Sequence, residues 1–368
     1  MKYRTLAGEK VSVLGFGCMR FPTTTQNAAD IDADKAGEML RFAAENGVNY
    51  FDTAYVYHGG ESESFIGKAL KDYREKINFA TKCPTWQIKC EEDFERILNE
   101  QLESLQTDYI DFYLMHALDR ERFNNIVKKF NLIDKLNKAK ADGKIRHIGF
   151  SFHDSLDAFK EIVDANPAWE FCQIQLNYIN LEYQAGIAGL EYAHKKGLDV
   201  IIMEPLLGGK LANPSEQVRK TLSDEKTPVE WAMDFLWNRK EISLLLSGMG
   251  TMEQIEANIG YADKAQVGML TKENLDMLLH TKEIFDTMAL VPCTKCAYCM
   301  PCPFGLDIPK TFEAYNATAS LGMEKAKSIY SEIKTKADKC KKCKKCEKVC
   351  PQSIPISGTM TKIAEVFK

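Results

Sequence analysis

Three charged or titratable side chains close successive apolar runs, and a tyrosine stands beside the first of them. Asp52 ends Tyr50-Phe51, Lys82 ends Ile77–Lys82 and His116 ends Tyr109–His116, at spacings of 30 and 34 residues, each about the ~30 residues of one strand-helix unit. Tyr57 follows Asp52 on a loop with Gly59 and Gly60. A carboxylate, an ammonium, an imidazole and a phenol together make an acid-base device. A free phenol titrates near about 10, and a neighbouring ammonium favours phenolate and eases the proton away. Lys82 suits that part, Asp52 fixes and balances Lys82, and His116 is placed to orient an oxygen or assist the proton. Taken singly, each reads as a structural ion pair, a packed ring or a satisfied polar group. Their convergence on successive strand ends points to chemistry.

Cysteines supply the second set. Eight of the twelve fall in two runs, Cys293, Cys296, Cys299, Cys302-Pro303 and Cys340, Cys343, Cys346, Cys350-Pro351. A reducing compartment keeps thiols free, so this clustering points to metal rather than to disulfides. Cys18, Cys90 and Cys172 read as small buried hydrophobes. Cys83 follows Lys82 without a base beside it and is not nominated as a nucleophile.

The elements that must position these groups follow from periodicity. Met1–Lys10 reads as a hairpin turning at Ala7-Gly8-Glu9, and Val11–Gly17 as a first barrel strand. Helical spacing over Asp34–Asn46 stops at Gly47, a residue suited to a left-handed helix end. Asn125–Ala141 reads as one helix, and strands are expected at Ile145–Ser151, Glu170–Leu176, Leu198–Met203 and Ile242–Ser247. Eight strands alternating with helices over about 260 residues match a (β/α)8 TIM barrel. A doubly wound sheet is disfavoured because no GxGxxG follows an early strand. After Tyr261 the pattern changes to an amphipathic helix, Lys272–Leu290, and then the cysteines, with Ile308–Ile333 mostly helical and broken at Gly322. The expected division is residues 1–270 and 271–368.

Phe51-Asp52-Thr53-Ala54 with Tyr57, Lys82 and Leu114-Met115-His116 resemble, in order and spacing, the catalytic motifs of the aldo-keto reductases, over roughly the first 260 residues. The cysteine runs place the likeness with an iron-sulfur-containing branch that carries a small, mainly helical, ferredoxin-like domain with two [4Fe-4S] clusters. The resemblance implies a barrel plugged by its N-terminal hairpin, NAD(P)H-dependent reduction of an aldehyde or ketone or the reverse, and catalytic parts for Asp52, Tyr57, Lys82 and His116. It also implies nicotinamide contacts at Ser151, Gln173 and Met203, where many members stack an aromatic ring. Glu204, Leu206, Gly208 and Lys210 correspond to a pyrophosphate loop, and Asn258 to an adenine contact. Gly248 and Gln254 stand where many members carry cations for the 2'-phosphate, so a strong NADP preference is not expected.

The second cysteine run has the spacing of bacterial ferredoxins, and the first is one residue shorter before its last cysteine. In two-cluster ferredoxins the run-ending cysteine reaches across to the other cluster. That likeness implies one cluster on Cys293, Cys296, Cys299 and Cys350 and another on Cys340, Cys343, Cys346 and Cys302. Zinc is the alternative, although four-cysteine zinc sites usually present CxxC pairs. Lys336, Lys339, Lys341, Lys342, Lys344, Lys345 and Lys348 crowd the second run. They read either as a docking face for an acidic electron carrier such as ferredoxin or flavodoxin or as compensation for cluster charge.

Composition bounds the rest. Of the 368 residues 45% are hydrophobic and 27% charged, and the net charge is -4, an ordinary globular balance that argues against nucleic acid. No apolar run of about 18 residues is present to span a membrane, and the N-terminus lacks a signal peptide's apolar core, so a cytoplasmic location is expected. Against an oxidoreductase acting on a small carbonyl stands a second function, a redox-sensing or electron-carrying nucleotide-binding protein without carbonyl turnover.

Overall fold

The structure is a computed structural model and describes residues 1–288, 290–320 and 322–368. It divides into two compact units, Met1–Pro205 with Glu230–Leu270, and Leu206–Val229 with Thr271–Lys368.

In the first unit β1 (Tyr3–Leu6) and β2 (Glu9–Ser12) form an antiparallel hairpin, turned by Ala7 and Gly8 at φ 50° and 90°. Eight further strands follow: β3 (Leu14–Gly17), β4 (Tyr50–Asp52), β5 (Asn78–Cys83), β6 (Ile110–Leu118), β7 (Ile145–Phe152), β8 (Phe171–Gln175), β9 (Asp199–Met203) and β10 (Ile242–Ser247). They close in chain order, β10 pairing β3, with every pair parallel. Parallel strands are covered on both faces, and these are near-continuous runs of buried apolar residues, as that topology requires. Leu6 and Val11 of the hairpin join Tyr50, Phe112, Phe171 and Leu244 in the barrel's internal core, so the hairpin is a plug. Close packing sets residue type at Gly149, where a Cβ would lie 2.6 Å from the Phe171 ring.

Three expectations are revised. Cys90, read as a small buried hydrophobe, is exposed, whereas Cys18 and Cys172 are buried. Val11 and Ser12 belong to β2, not to the first barrel strand, and Ser12 Oγ donates to Leu14 O at 2.7 Å across the bend that separates them. The helix expected over Asn125–Ala141 is broken. A π-helical turn, Phe123–Lys128, precedes Asn131 at φ 51°, and a regular helix runs only over Leu132–Ala141. Asparagine is among the few residues that take the left-handed conformation readily, and its Nδ2 donates to Asp134 at 2.7 Å.

The second unit is helical. Lys272–Met288, Ile308–Ser320, Met323–Ser331 and Ile356–Val366 are its main helices, and Gly322 at φ 83° starts the third. Its core gathers Leu306, Phe312, Tyr330, Ile333, Met360 and Ile363, with Cys293, Cys299, Cys302, Cys340, Cys346 and Cys350 packed against it. Tyr330 stacks on Phe367 at 4.2 Å. The C-terminal helix is absent from the sequence reading, although Ile356, Met360, Ile363 and Phe367 repeat at helical spacing. Leu206–Val229, which follows β9, groups with this unit. Among the described residues no helix is long and apolar enough to cross a membrane.

Candidate active site and metal centres

Parallel pairing of β4, β5 and β6 brings the carboxyl ends of three strands side by side. Lys82 Nζ lies 2.6 Å from Asp52 Oδ1 and 2.6 Å from Thr53 O, with Lys82 1% and Asp52 3% exposed. Two charges this deep persist because each answers the other. Burial pushes the Asp52 carboxyl up and Lys82 pulls it back, while Asp52 Oδ2 has no hydrogen-bond partner among the described residues.

Tyr57 opens the turn Tyr57–Gly60, in which His58, Gly59 and Gly60 take φ 53°, 67° and 102°. The turn is tied down through His58, whose Nε2 accepts from Phe21 N at 3.2 Å and whose Nδ1 pairs with Ala28 O at 2.6 Å. This places the Tyr57 ring centroid 5.1 Å from Lys82 Nζ. The ring meets His116 edge-on, 6.1 Å between centroids at 81°. The structure thus brings together all four residues singled out for acid-base chemistry.

His116 is 4% exposed. Burial first, then Lys82, His153 and Arg122, hold its pKa well below the usual imidazole value, so it is neutral near pH 7. It sits at the start of a bulge, where the β6–β7 register shifts between Met115 and Leu118 and Ala117 takes φ 53°. Ser151 Oγ accepts from Ala117 N at 2.7 Å, and Arg122 donates to Ala117 O at 2.6 Å. Ser151 therefore shapes the backbone next to His116 and keeps its own hydroxyl proton for a further acceptor.

Three contributors escaped the sequence reading. Trp86 packs against His116 at 5.0 Å between centroids, the rings tilted by 50°, and is 41% exposed, but a lone aromatic after a strand carries little signal. His58 was read only as part of a loop. Behind Lys82, the buried Glu63 accepts from Thr81 Oγ1 and from Gln101 Nε2, the latter at 2.6 Å. Gln101 also donates to Lys82 O at 3.2 Å and accepts from Tyr113 OH at 2.7 Å. Burial raises Glu63 to about 6. An acid in the first turn of a helix, where Glu63 stands, carries no signal of this in sequence.

Of the nucleotide candidates, Ser151, Gln173, Met203, Glu204 and Asn258 lie in the barrel unit and Leu206, Gly208 and Lys210 in the other. Gln173 Nε2 approaches Met203 S at 3.6 Å, and its buried Oε1 has no partner among the described residues, which leaves an acceptor for a carboxamide N–H. Glu204, at φ 58°, is held by Asn177 Nδ2 donating to its carbonyl at 3.0 Å. Asn258 is buried and donates to Ser247 Oγ at 3.2 Å. Gln254 Oε1 folds back to accept from Gly250 N at 2.8 Å. In the second unit Gly208 takes φ 64°, and a Cβ there would be 2.2 Å from Thr294 O. Lys210 lines a cavity with Cys293 and Lys295.

Two smaller cavities, about 310 and 320 Å³, are each lined by four thiols. Cys293, Cys296, Cys299 and Cys350 line the first, and Cys302, Cys340, Cys343 and Cys346 the second. Each quartet takes three members from one run and the run-ending cysteine from the other. Burial, then Cys296, Cys293 and Cys350, push Cys299 up to about 12. Four thiols gathered around one space suit a cationic centre, to which they bind as thiolates. Each quartet lines a cavity, as thiolates that bind around a multi-iron cluster would.

Comparison with known proteins assigns the two parts of the chain to different families, with Leu206–Val229 matched along with the barrel. Residues 13–275 match the aldo/keto reductase family and residues 289–354 a 4Fe-4S dicluster domain. The chain is 29% identical over 296 residues to L-galactose dehydrogenase of Arabidopsis thaliana, covering 73% of this chain and 89% of that one. The holo form of an aldo-keto reductase from Bacillus halodurans superposes with TM-score 0.65 at 25% identity, covering 76% and 96%. An aldo-keto reductase of Klebsiella pneumoniae in complex with NADPH superposes at 0.59 with 21% identity, covering 76% and 94%, a likeness of fold.

Proposed function

The chain belongs to the aldo/keto reductase family, and on that premise we propose that its barrel interconverts a small carbonyl and its alcohol with NAD(P)H, while its thiol quartets hold two [4Fe-4S] clusters. The observation that carries the first part is the buried Asp52–Lys82 pair with the Tyr57 ring 5.1 Å from the ammonium. NAD(P)H, when bound, supplies the hydride. Tyr57 donates its proton to the substrate oxygen as that oxygen becomes negative. Lys82 stabilises the phenolate left behind, and Asp52 keeps Lys82 aimed through their 2.6 Å contact. His116, neutral, can donate one N–H to the substrate oxygen without competing for the proton. Trp86, packed against His116 and partly exposed, offers an apolar wall for the substrate. The open Gln173 Oε1, with Ser151 and Met203 near the same barrel mouth, fits a nicotinamide carboxamide, and Asn258 fits the adenine. The Arabidopsis relative is named for a dehydrogenation, which supports including the reverse direction.

The test is anaerobic purification, iron and acid-labile sulfide analysis, and parallel titration with NADH and NADPH over a panel of aldehydes and ketones. Eight iron and eight sulfide per chain, with nicotinamide oxidation that depends on the carbonyl, are the expected results. Nucleotide binding without turnover across the panel would favour a sensing or electron-carrying protein instead.

A further inference from the structure

The seven lysines around the second cysteine run do not behave alike. Lys336 turns inward and donates to Tyr330 O and Ser331 O at 2.5 and 3.0 Å, and Lys339 pairs with Asp338 at 2.9 Å. Lys341, Lys342, Lys344, Lys345 and Lys348 are exposed. Among the described residues none of them makes a salt bridge, whereas Lys295, in the equivalent place of the first run, pairs with Glu313 at 3.0 Å. Glu347, the carboxylate inside the lysine run, accepts from Ser357 N and Oγ at 2.7 and 2.6 Å and feels Lys344 without forming a salt bridge with it.

The backbone says that this charge is not a by-product of the loop. In both runs the residues flanking the second cysteine are left-handed: Lys295 and Ala297 at φ 57° and 64°, Lys342 and Lys344 at 51° and 59°. The conformation serves ligation in both, and glycine would take it most readily. The second run instead carries lysine at both places. At the centre lies the most open point of the eight-thiol set. Cys343 is exposed while the other seven are partly buried. Phe304, 43% exposed, lines the same cavity with Lys341 and Lys344. An apolar contact at an open cluster edge within a ring of unpaired positive charge is the form of a transient electron-transfer interface, where charge steers the encounter.

We propose that this face docks a small acidic one-electron carrier protein and that electrons enter or leave the chain through the cluster on Cys302, Cys340, Cys343 and Cys346. The inference rests on the reading above that the quartets hold [4Fe-4S] clusters. In the reducing direction a flavin hydroquinone anion gives up one electron to become the neutral semiquinone. The cluster passes from [4Fe-4S]2+ to [4Fe-4S]+, and no proton or bond is exchanged.

The experiment uses the anaerobically purified holoprotein and, as probe, an acidic flavodoxin in its hydroquinone form. Appearance of its semiquinone is followed by stopped flow across a range of salt concentrations. The second-order rate should fall steeply with salt. Lys341→Glu/Lys342→Glu/Lys345→Glu/Lys348→Glu should slow it at least about tenfold at low salt, within the range of electrostatic steering, and flatten the salt dependence. Lys325→Glu/Lys327→Glu, exposed on the helix Met323–Ser331, should change it less than about twofold, and reduced methyl viologen, a cation, should not be slowed by either variant. Iron and sulfide content is measured in parallel. Missing clusters in the wild type defeat the iron-sulfur reading itself. Intact clusters with a salt-independent rate, or equal effects of the two variants, defeat the docking inference alone. A quadruple variant whose cluster potential moves while its salt dependence is kept would show that the lysines serve only the cluster's charge.

Discussion

At the barrel's strand ends a buried carboxylate and a buried ammonium stand 2.6 Å apart and neutralise each other; in the cysteine unit four thiols line each of two cavities, and in the first of them burial and the neighbouring thiols push Cys299 up. Both regions gather groups that resist being brought together. In the barrel the polypeptide supplies both signs of charge, so the acid-base site is complete once the chain folds. In the cysteine unit the opposite charge must come from metal. The two regions should therefore part company when metal or a single charge is removed.

Metal removal should have the largest effect. Where ligands come from distant parts of a small module, metal-binding free energy is folding free energy. Chelation should open residues 271–368 to proteolysis while the barrel stays resistant, a contrast readable by mapping the cleavage sites. Because the quartets are crossed, Cys350→Ser should damage the cluster on Cys293, Cys296 and Cys299, seen as a change in that cluster's resonance signal. Damage confined to the cluster on Cys340, Cys343 and Cys346 would mean local ligation.

Within the barrel, Lys82→Met leaves Asp52 charged, buried and alone. A loss of about 3–5 kcal/mol in unfolding free energy is expected. Lys82→Met combined with Asp52→Leu should recover most of it, since replacing both partners removes the uncompensated charge. Denaturant unfolding of the two variants checks this.

A smaller effect comes with pH. His116 is held well below its ordinary pKa and His153 is lowered to about 4, both first by burial. In the unfolded chain each takes up a proton near about 6.5, while the folded barrel keeps them neutral. Barrel stability should therefore fall as pH drops from about 6.5 toward about 4. His116→Gln should flatten that slope, as measured by urea midpoints across the range. Glu63 acts in the opposite sense: with its carboxyl raised to about 6, its contribution is lost as pH rises from about 4.5 to about 6.

The smallest expected effect is in nucleotide choice. Each charge-assisted contact to a 2'-phosphate contributes about 1.5–3 kcal/mol, and Gly248 and Gln254 supply none. Affinities for NADPH and NADH should lie within about tenfold. A preference of several hundredfold would show that other cations, such as Lys210, reach the phosphate.

The strand ends were legible because a parallel barrel repeats one unit and sets its reactive groups at one place in each; Asp52, Lys82 and His116 could be counted off at that interval. The quartets were legible because ligand spacing is local, and the crossing was what the likeness to two-cluster ferredoxins implied. What escaped depends on contacts between distant segments. His58 gains meaning only from Phe21 and Ala28, Glu63 from Gln101, and Ser151 from the bulge at Ala117. The break at Asn131 was missed because helical periodicity runs on through it, and the C-terminal helix because its apolar face matters only once Tyr330 packs on Phe367.

The central claim is that Tyr57 is the proton donor of a carbonyl reductase site built by the chain itself. Its most direct test is single-turnover nicotinamide oxidation by the wild type and Tyr57→Phe at saturating carbonyl, with nucleotide affinity measured alongside. Loss of one positioned acid should slow the step by roughly 100-fold or more with affinity nearly unchanged. A variant that oxidises nicotinamide at the wild-type rate would contradict the account.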